Sequence, residues 1–259
     1  MKKKKCCFFS IAYGAKHNID YLKMMQNSLK KFHPDIPHHL YGDKELGGFI
    51  KAHPDNKWRI YPTIGADLSK KYDLVIQIDN DCIVTGNLDH IINDKSYHVG
   101  GVLNNNKVDP PLVVQKRNGA ILDVKPEYYM NAGFLAIRGE RPWKWWLKLC
   151  TSYFFKDYRY VEQDMLNIMC LYGDLNVKIF DFSKNWHGLI SKGQWHKMVM
   201  EGDKIILPKT KDVCGEDKEI KILHWAGGSV PKLNYHVYFQ PEVCKRLDYL
   251  VSENKNDKK

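Results

Sequence analysis

The chain has 259 residues, 44% apolar and 27% charged, a balance that supports a sizeable buried core and excludes a disordered or fibrous protein. Lys and Arg number 40 against 30 Asp and Glu, a net charge of +10, of which residues 1–5 carry four charges and residues 253–259 one. The remaining +5 favours anionic ligands without marking a nucleic-acid binder.

Lys2 to Lys5 lead into Cys6-Cys7-Phe8-Phe9-Ser10-Ile11-Ala12-Tyr13, an apolar run stopped by Gly14 that predicts a strand buried on both faces. This run is too short for a signal-sequence core, and no apolar stretch nears the ~18 residues of a membrane span, so a soluble, cytoplasmic protein without a transmembrane segment is expected. Asn18 is placed to cap a helix whose apolar residues Ile19, Leu22, Met25, Leu29 and Phe32 step by three or four and which ends at His33-Pro34. Pro37 to Asp43 reads as a short strand and turn, and Trp58 to Tyr61 as a further strand before Pro62. The strongest strand signal is Tyr72 to Ile78, which runs into Asp79-Asn80-Asp81 and a second apolar step, Cys82-Ile83-Val84.

From Asp94 to Lys125 the composition is rich in Asn, Pro and Gly with little periodicity, which predicts a long irregular excursion near a functional site. Asn131-Ala132-Gly133 is expected to form a turn feeding a strand that ends near Arg138, and Pro142 to open a helix through Trp143, Trp146, Leu147 and Cys150. A further helix carries Glu162 to Met169. Glu219 to Leu223 is strand-like and delivers His224 into a loop containing Gly227-Gly228. Seven cysteines without a Cys-x-x-Cys spacing point to reduced, buried thiols rather than a zinc knuckle or a disulfide framework. The pattern is α/β and predicts one domain over 6–250, between charged, flexible tails at 1–5 and 251–259.

Carboxylates at the C-terminal end of a buried strand stand where open α/β sheets hold ligands. At that strand-to-turn junction Asp79 and Asp81 can converge on one hard cation that bridges diphosphate oxygens, whereas the same tripeptide in isolation is more often a solvated turn. His224 can supply a nitrogen ligand or be an ordinary polar residue at a strand end. Gly227-Gly228 can let phosphate oxygens approach the backbone amides, and Lys232 can neutralise a phosphate. Asn131 offers an amide to a hydroxyl-rich ligand. Glu162-Gln163-Asp164 either complements a helix dipole or aims polar groups at a sugar. Trp143, Trp145 and Trp146 read first as packing and second as a carbohydrate-stacking surface.

The order of these motifs resembles the nucleotide-sugar-dependent glycosyltransferases of the GT-A fold, and within them glycosyltransferase family 8, the relatives of glycogenin and bacterial galactosyltransferases. The resemblance rests on the Tyr21 to Pro34 helix, Asp79-Asn80-Asp81, Asn131-Ala132-Gly133, Glu162-Gln163-Asp164 with Asn167, and His224-x-x-Gly227. It implies a single GT-A-like, Rossmann-like nucleotide-binding domain with a mixed, mostly parallel sheet flanked by helices, and a retaining transfer from a UDP-sugar to an acceptor hydroxyl on a glycan, glycoprotein or small molecule, with no nucleic-acid partner. Mn2+ or Mg2+ would be held by Asp79, Asp81 and His224. Ala12, Tyr13 and Asn80 would border the nucleotide, Gly227 and Lys232 the diphosphate, and Asn131, Ala132, Gln163 and Asp164 the donor sugar. The family's Asp-Gln-Asp stands here as Glu162-Gln163-Asp164, which adds Glu162 to the catalytic candidates, and its late Lys is displaced by two places to Lys232. A covalent intermediate and same-face attack are both compatible with this pattern, and inversion is compatible with the fold.

Two other classes fit parts of the sequence. A sugar-phosphate nucleotidyltransferase needs a basic, Gly-rich loop after the first strand, of which Tyr13-Gly14-Ala15-Lys16-His17 is a poor version. A non-catalytic binder of acidic glycans or nucleic acid would use the Lys-rich tails.

Overall fold

The computed structural model describes residues 4–13, 17–53, 58–103, 129–152, 160–180, 196–209, 218–224 and 232–253. Apolar residues that alternate along the strands divide the interior into two layers. In β1 (Lys4–Ile11) Cys7 and Phe9 face one side and Cys6 and Phe8 the other, all buried, as a strand covered on both faces requires. β1 lies in a six-stranded sheet with β2 (His38–Tyr41), β3 (Tyr72–Ile78), β5 (Val99–Leu103), β6 (Met130–Arg138) and β7 (Val177–Ile179), in the order β2-β1-β3-β6-β5-β7. Only β6 runs against its neighbours; the other pairings are parallel.

One face is covered by α2 (Asp43–Ala52), α3 (Ile60–Leu68), α5 (Glu140–Cys150) and α6 (Val161–Tyr172), which contribute Leu46, Ile64, Trp143, Trp146 and Met165. The other is covered by α1 (His17–Phe32) and α4 (Asp89–Asn93) through Met25, Leu29, Ile91 and Ile92. Beyond the sheet, β4 (Cys82–Val84) pairs antiparallel with β11 (Ile222–His224). A three-stranded antiparallel sheet of β8 (Val199–Glu201), β9 (Lys204–Leu207) and β10 (Lys218–Ile220) shares a third apolar cluster with α7 (Pro241–Val251). No helix among the described residues is long and apolar enough to cross a membrane.

The predicted α/β sheet is present, with β1, α1, β2, β3, β4, α5 and α6 near their expected places, and four local expectations need correction. Trp58 to Tyr61 is not a strand: Ile60 begins α3, and Pro62 sits in its first turn, where the missing N–H has no helical partner to lose. Asn131-Ala132-Gly133 is not a turn but part of β6. From Gly101 to Leu103 β5 advances two residues while β6 runs from Leu135 back to Met130, so β6 bulges here. Correspondingly, Met130 and Ala132 face the same layer as Leu135 and Ile137. Within the predicted excursion after Asp94, Val99 to Leu103 is a regular strand; the segment from 104 to 128 lies outside the described residues. Glu219 to Leu223 divides at Lys221 between two sheets, β10 pairing with β9 and β11 with β4. The six described cysteines are buried thiols.

Candidate active site

β3 delivers Asp79 to its C-terminal end in the middle of the sheet, where the Asp79 N–H donates to the Gly133 carbonyl at 2.8 Å. The chain then turns, the Cys82 N–H donating to the Asp79 carbonyl at 3.2 Å, and enters β4. Because β11 pairs with β4 and sets His224 opposite Cys82, a residue from late in the chain arrives over this turn. His224 Nε2 lies 3.0 Å from Asp81 Oδ1 and 4.0 Å from Asp79 Oδ2. The imidazole is buried, whereas the Asp79 side chain keeps 32% of its surface open, so the cluster is anchored on one side and accessible on the other.

Two carboxylates and an imidazole are a donor set that fits a hard or borderline divalent cation. Gly133, within the bulge of β6, makes room for the imidazole. A Cβ on Gly133 would lie 2.2 Å from His224 Cε1 and 2.9 Å from Nε2, so the ring rests against a bare α-carbon. The Gly133 N–H is held by Asn131 Oδ1 at 2.7 Å, which gives Asn131 a local bond inside the bulge.

Ala132 is clamped from both sides. Its N–H donates to Gln163 Oε1 at 2.9 Å, and its carbonyl accepts from Gln77 Nε2 at 2.5 Å. Asn167 does the same one residue pair earlier, accepting from the Met130 N–H at 2.6 Å and donating to its carbonyl at 3.0 Å. The first turn of α6 is therefore locked to the bulge. Asp164 is fully buried; Oδ1 accepts from the Tyr129 hydroxyl at 2.9 Å and Oδ2 from the Tyr160 N–H at 2.5 Å. Val161 has φ of 42°, the left-handed region that β-branched residues avoid, immediately before Glu162. The Trp146 indole N–H donates to the Glu162 carbonyl at 2.8 Å, and its ring stacks on Trp143 at 5.6 Å, so these two tryptophans belong to the core.

Glu162 Oε2 is out of reach of solvent and has no hydrogen-bond partner. Burial, with the charges of Asp79 and Asp164 added, pushes its carboxyl up to about 8. Tyr61 is raised as well, by burial and then by Asp79, Glu162 and Asp81, which sets α3 beside the same acids. Since the native Glu162 value lies above its ordinary 4.5, the folded state binds the extra proton between the two values and loses stability as pH rises through that window. Each pH unit there costs at most about 1.4 kcal/mol. In EDTA, Glu162→Gln should therefore melt higher than the unmodified chain near about pH 9 and level with it near about pH 4. A melting difference independent of pH would contradict the assignment.

Beside the acids lies a cavity of about 200 Å³. Ile11 and Tyr13 at the end of β1, Leu46 and Ile50 of α2, Trp58 and Tyr61 line it, with Asn80 at the acidic end. The volume is below the ~300–1,000 Å³ of whole-ligand pockets and suits one flat ring of a larger ligand. Ala12 is buried between the two lining residues, its N–H donating to the Tyr41 carbonyl at 2.9 Å. Lys232 begins a short 3₁₀ turn, Lys232–Val237, and Gly227 lies outside the described residues. Asp79, Asn80, Asp81, His224, Asn131, Ala132, Glu162, Gln163 and Asp164 are thus gathered around the C-terminal end of β3 and the adjoining bulge of β6. Sequence reasoning missed Trp58, Tyr61, Gln77 and Tyr129. Ile60, Ile64 and Leu68, at intervals of four, were the available sign that Tyr61 stands on a helix.

No family model matches the sequence, and no curated protein matches it. Solved structures share its fold. The galactosyltransferase LgtC, in complex with donor and acceptor sugar analogues, is 15% identical with a TM-score of 0.58, covering 96% of this chain and 98% of its own. The apo bifunctional glycosyltransferase WbbM is 12% identical with a TM-score of 0.56 over 96% of this chain, which spans 50% of the WbbM chain. Mouse xyloside xylosyltransferase 1, in its apo form, is 11% identical with a TM-score of 0.50 over 86% of this chain and 98% of its own. The fold is that of the GT-A glycosyltransferases.

Proposed function

We propose that the chain is a metal-dependent glycosyltransferase that moves a sugar from a nucleoside diphosphate donor, a UDP-sugar, to an acceptor hydroxyl with retention at the anomeric carbon. The observation that carries this reading is the meeting of Asp79, Asp81 and His224 at the end of β3, next to an aromatic-lined slot of ring size. In this reading Tyr13, Trp58 and Tyr61 enclose the base and Asn80 hydrogen-bonds at its margin.

Asp79, Asp81 and His224 would hold Mn2+ or Mg2+, which supplies charge neutralisation for the departing diphosphate. Gly227 and Lys232 would add contacts along that diphosphate. The Asn131–Gly133 bulge and Gln163 form the sugar-facing wall, and their mutual hydrogen bonds fix it before substrate arrives. Glu162, electrostatically coupled to Asp79, is the acid we assign to the reacting face, while Asp164 braces Tyr129 and Tyr160 beneath it. Residues 6–250 act as one catalytic unit in this account.

A panel of nucleotide sugars tests the reading by release of nucleoside diphosphate and by the anomeric configuration of the product. The expected result is UDP release from at least one UDP-sugar, abolished by EDTA, with the donor's configuration kept. Release of no nucleoside diphosphate from any donor, or pyrophosphate-dependent formation of nucleotide sugar, would contradict it.

A further inference from the structure

Cys82 places a sulfur atom beside the Asp81 carboxylate and the His224 imidazole. It stands directly opposite His224 in the antiparallel β4–β11 pair, and opposed residues of such a pair present their side chains on one face with Cβ atoms about 5 Å apart. Ligand atoms of Asp81, Cys82 and His224 all lie within 4.8 Å of one another. Asp81 Oδ1 and His224 Nε2 are 3.0 Å apart. Donor atoms around a tetrahedral zinc ion, bonded at about 2.0–2.3 Å, stand about 3.5 Å from each other, so movements of about 1 Å would close these three on an ion.

Two donor sets therefore share Asp81 and His224. Asp79, with Oδ2 4.0 Å from His224 Nε2, completes a set of oxygen and nitrogen, and Cys82 completes a set containing sulfur. Carboxylates and water suit Mg2+ and Mn2+, whereas a thiolate selects softer ions. We propose that Asp81, Cys82 and His224 form a thiophilic cation site, taking Zn2+ or Cd2+, that overlaps the hard-cation site and excludes its ion. Binding replaces the Cys82 S–H bond by a metal–sulfur bond and releases the proton to solvent, without change of oxidation state. Cys82 is only 1% exposed, whereas the Asp79 and Asp81 side chains keep 32% and 15% of their surface open, so in this proposal the ion enters from their side. A soft ion seated there displaces the hard one and arrests the enzyme. The inference rests on the proposed hard-cation site in sharing two of its ligands.

Cadmium titration of the metal-free full chain, with a phosphine reductant, reads the site through thiolate-to-cadmium charge-transfer absorption. The expected difference spectrum saturates at one Cd2+ per chain, is lost in Cys82→Ser, Cys82→Val and His224→Ala, and persists in Asp79→Asn. In parallel, Mn2+ binding is followed by its paramagnetic resonance signal. Zn2+ should displace Mn2+ from the unmodified chain, and at least about tenfold more should be needed in Cys82→Ser, the scale expected for a lost ligand interaction. Circular dichroism of the two Cys82 variants separates a lost ligand from a lost fold, and two such different replacements are not both expected to unfold the chain.

A cadmium band that survives both Cys82 variants, or equal displacement of Mn2+ by Zn2+ with and without the thiol, overturns the proposal. If Mn2+ and UDP bind together but no Cys82-dependent band forms, the sulfur site falls and the transferase reading stands. If the band follows the stated pattern while Mn2+ never binds, the sulfur site stands and the transferase reading falls.

Discussion

Asp81→Asn should lower turnover by about a hundred- to ten-thousandfold while leaving the melting temperature within a few degrees. The estimate follows from the role proposed for the cation: neutralising a leaving diphosphate contributes several kcal/mol at the barrier, and each 1.36 kcal/mol is about tenfold in rate. Asn keeps the volume of Asp but offers a neutral oxygen, so the change removes charge more than shape. Asp81 is the sensitive position because its Oδ1 lies 3.0 Å from His224 Nε2, closer than Asp79 Oδ2 at 4.0 Å. Steady-state turnover with saturating Mn2+, alongside thermal unfolding in EDTA, separates the chemical effect from a structural one. Turnover within about threefold of the unmodified chain would mean that the acid is not part of the reacting centre.

Gly133→Ala should be nearly as damaging although it adds only one carbon. The new Cβ would meet His224 Cε1 at 2.2 Å and Asn131 Oδ1 at 2.8 Å. Neither neighbour yields easily: the Asn131 amide holds the Gly133 N–H, and the His224 backbone is paired to β4. Overpacking of this kind costs about 1–3 kcal/mol of stability. It should also shift the imidazole and weaken Mn2+ by at least about tenfold, in keeping with the demands of ligand placement. His224→Ala removes the obstructing ring, so Gly133→Ala should cost less in that background, a coupling readable in metal-free denaturation. Additive costs, or unchanged Mn2+ affinity in Gly133→Ala, would show that the close approach does not govern the ring.

The parts of the fold that could be read from sequence are those whose local preference and tertiary role agree. β3 is an uninterrupted apolar strand, and α1 and α5 carry apolar residues at helical intervals. Segments built around paired glycines were hidden. α2 contains Gly47-Gly48 and β5 contains Gly100-Gly101, which weaken helix and strand preference alike. In β5 the reason lies in packing: a Cβ on Gly100 would sit 2.2 Å from the Phe180 ring, so only glycine lets that aromatic cover the strand. The β6 bulge was read as a turn because Asn-Ala-Gly has turn chemistry, and only pairing with β5 reveals the strand around it.

For the site, the paired acids were visible because they follow the clearest strand, and His224 because a strand-like run precedes it. Their meeting was implied only by the family resemblance in the order of motifs and not by the residues themselves, since the β4–β11 pairing that causes it joins opposite halves of the chain. The Cys82 sulfur was equally silent in sequence: it reads as one more apolar residue after the acids until the register with His224 is known.

The most direct test of the central reading is calorimetric titration of UDP into the purified chain, with Mn2+ and again with EDTA. If Asp79, Asp81 and His224 share a cation with the diphosphate, UDP should bind at least about tenfold more tightly with Mn2+, a gain of about 1.4 kcal/mol or more. Asp81→Asn should erase the difference. Equal UDP affinity with Mn2+ and with EDTA would contradict the account.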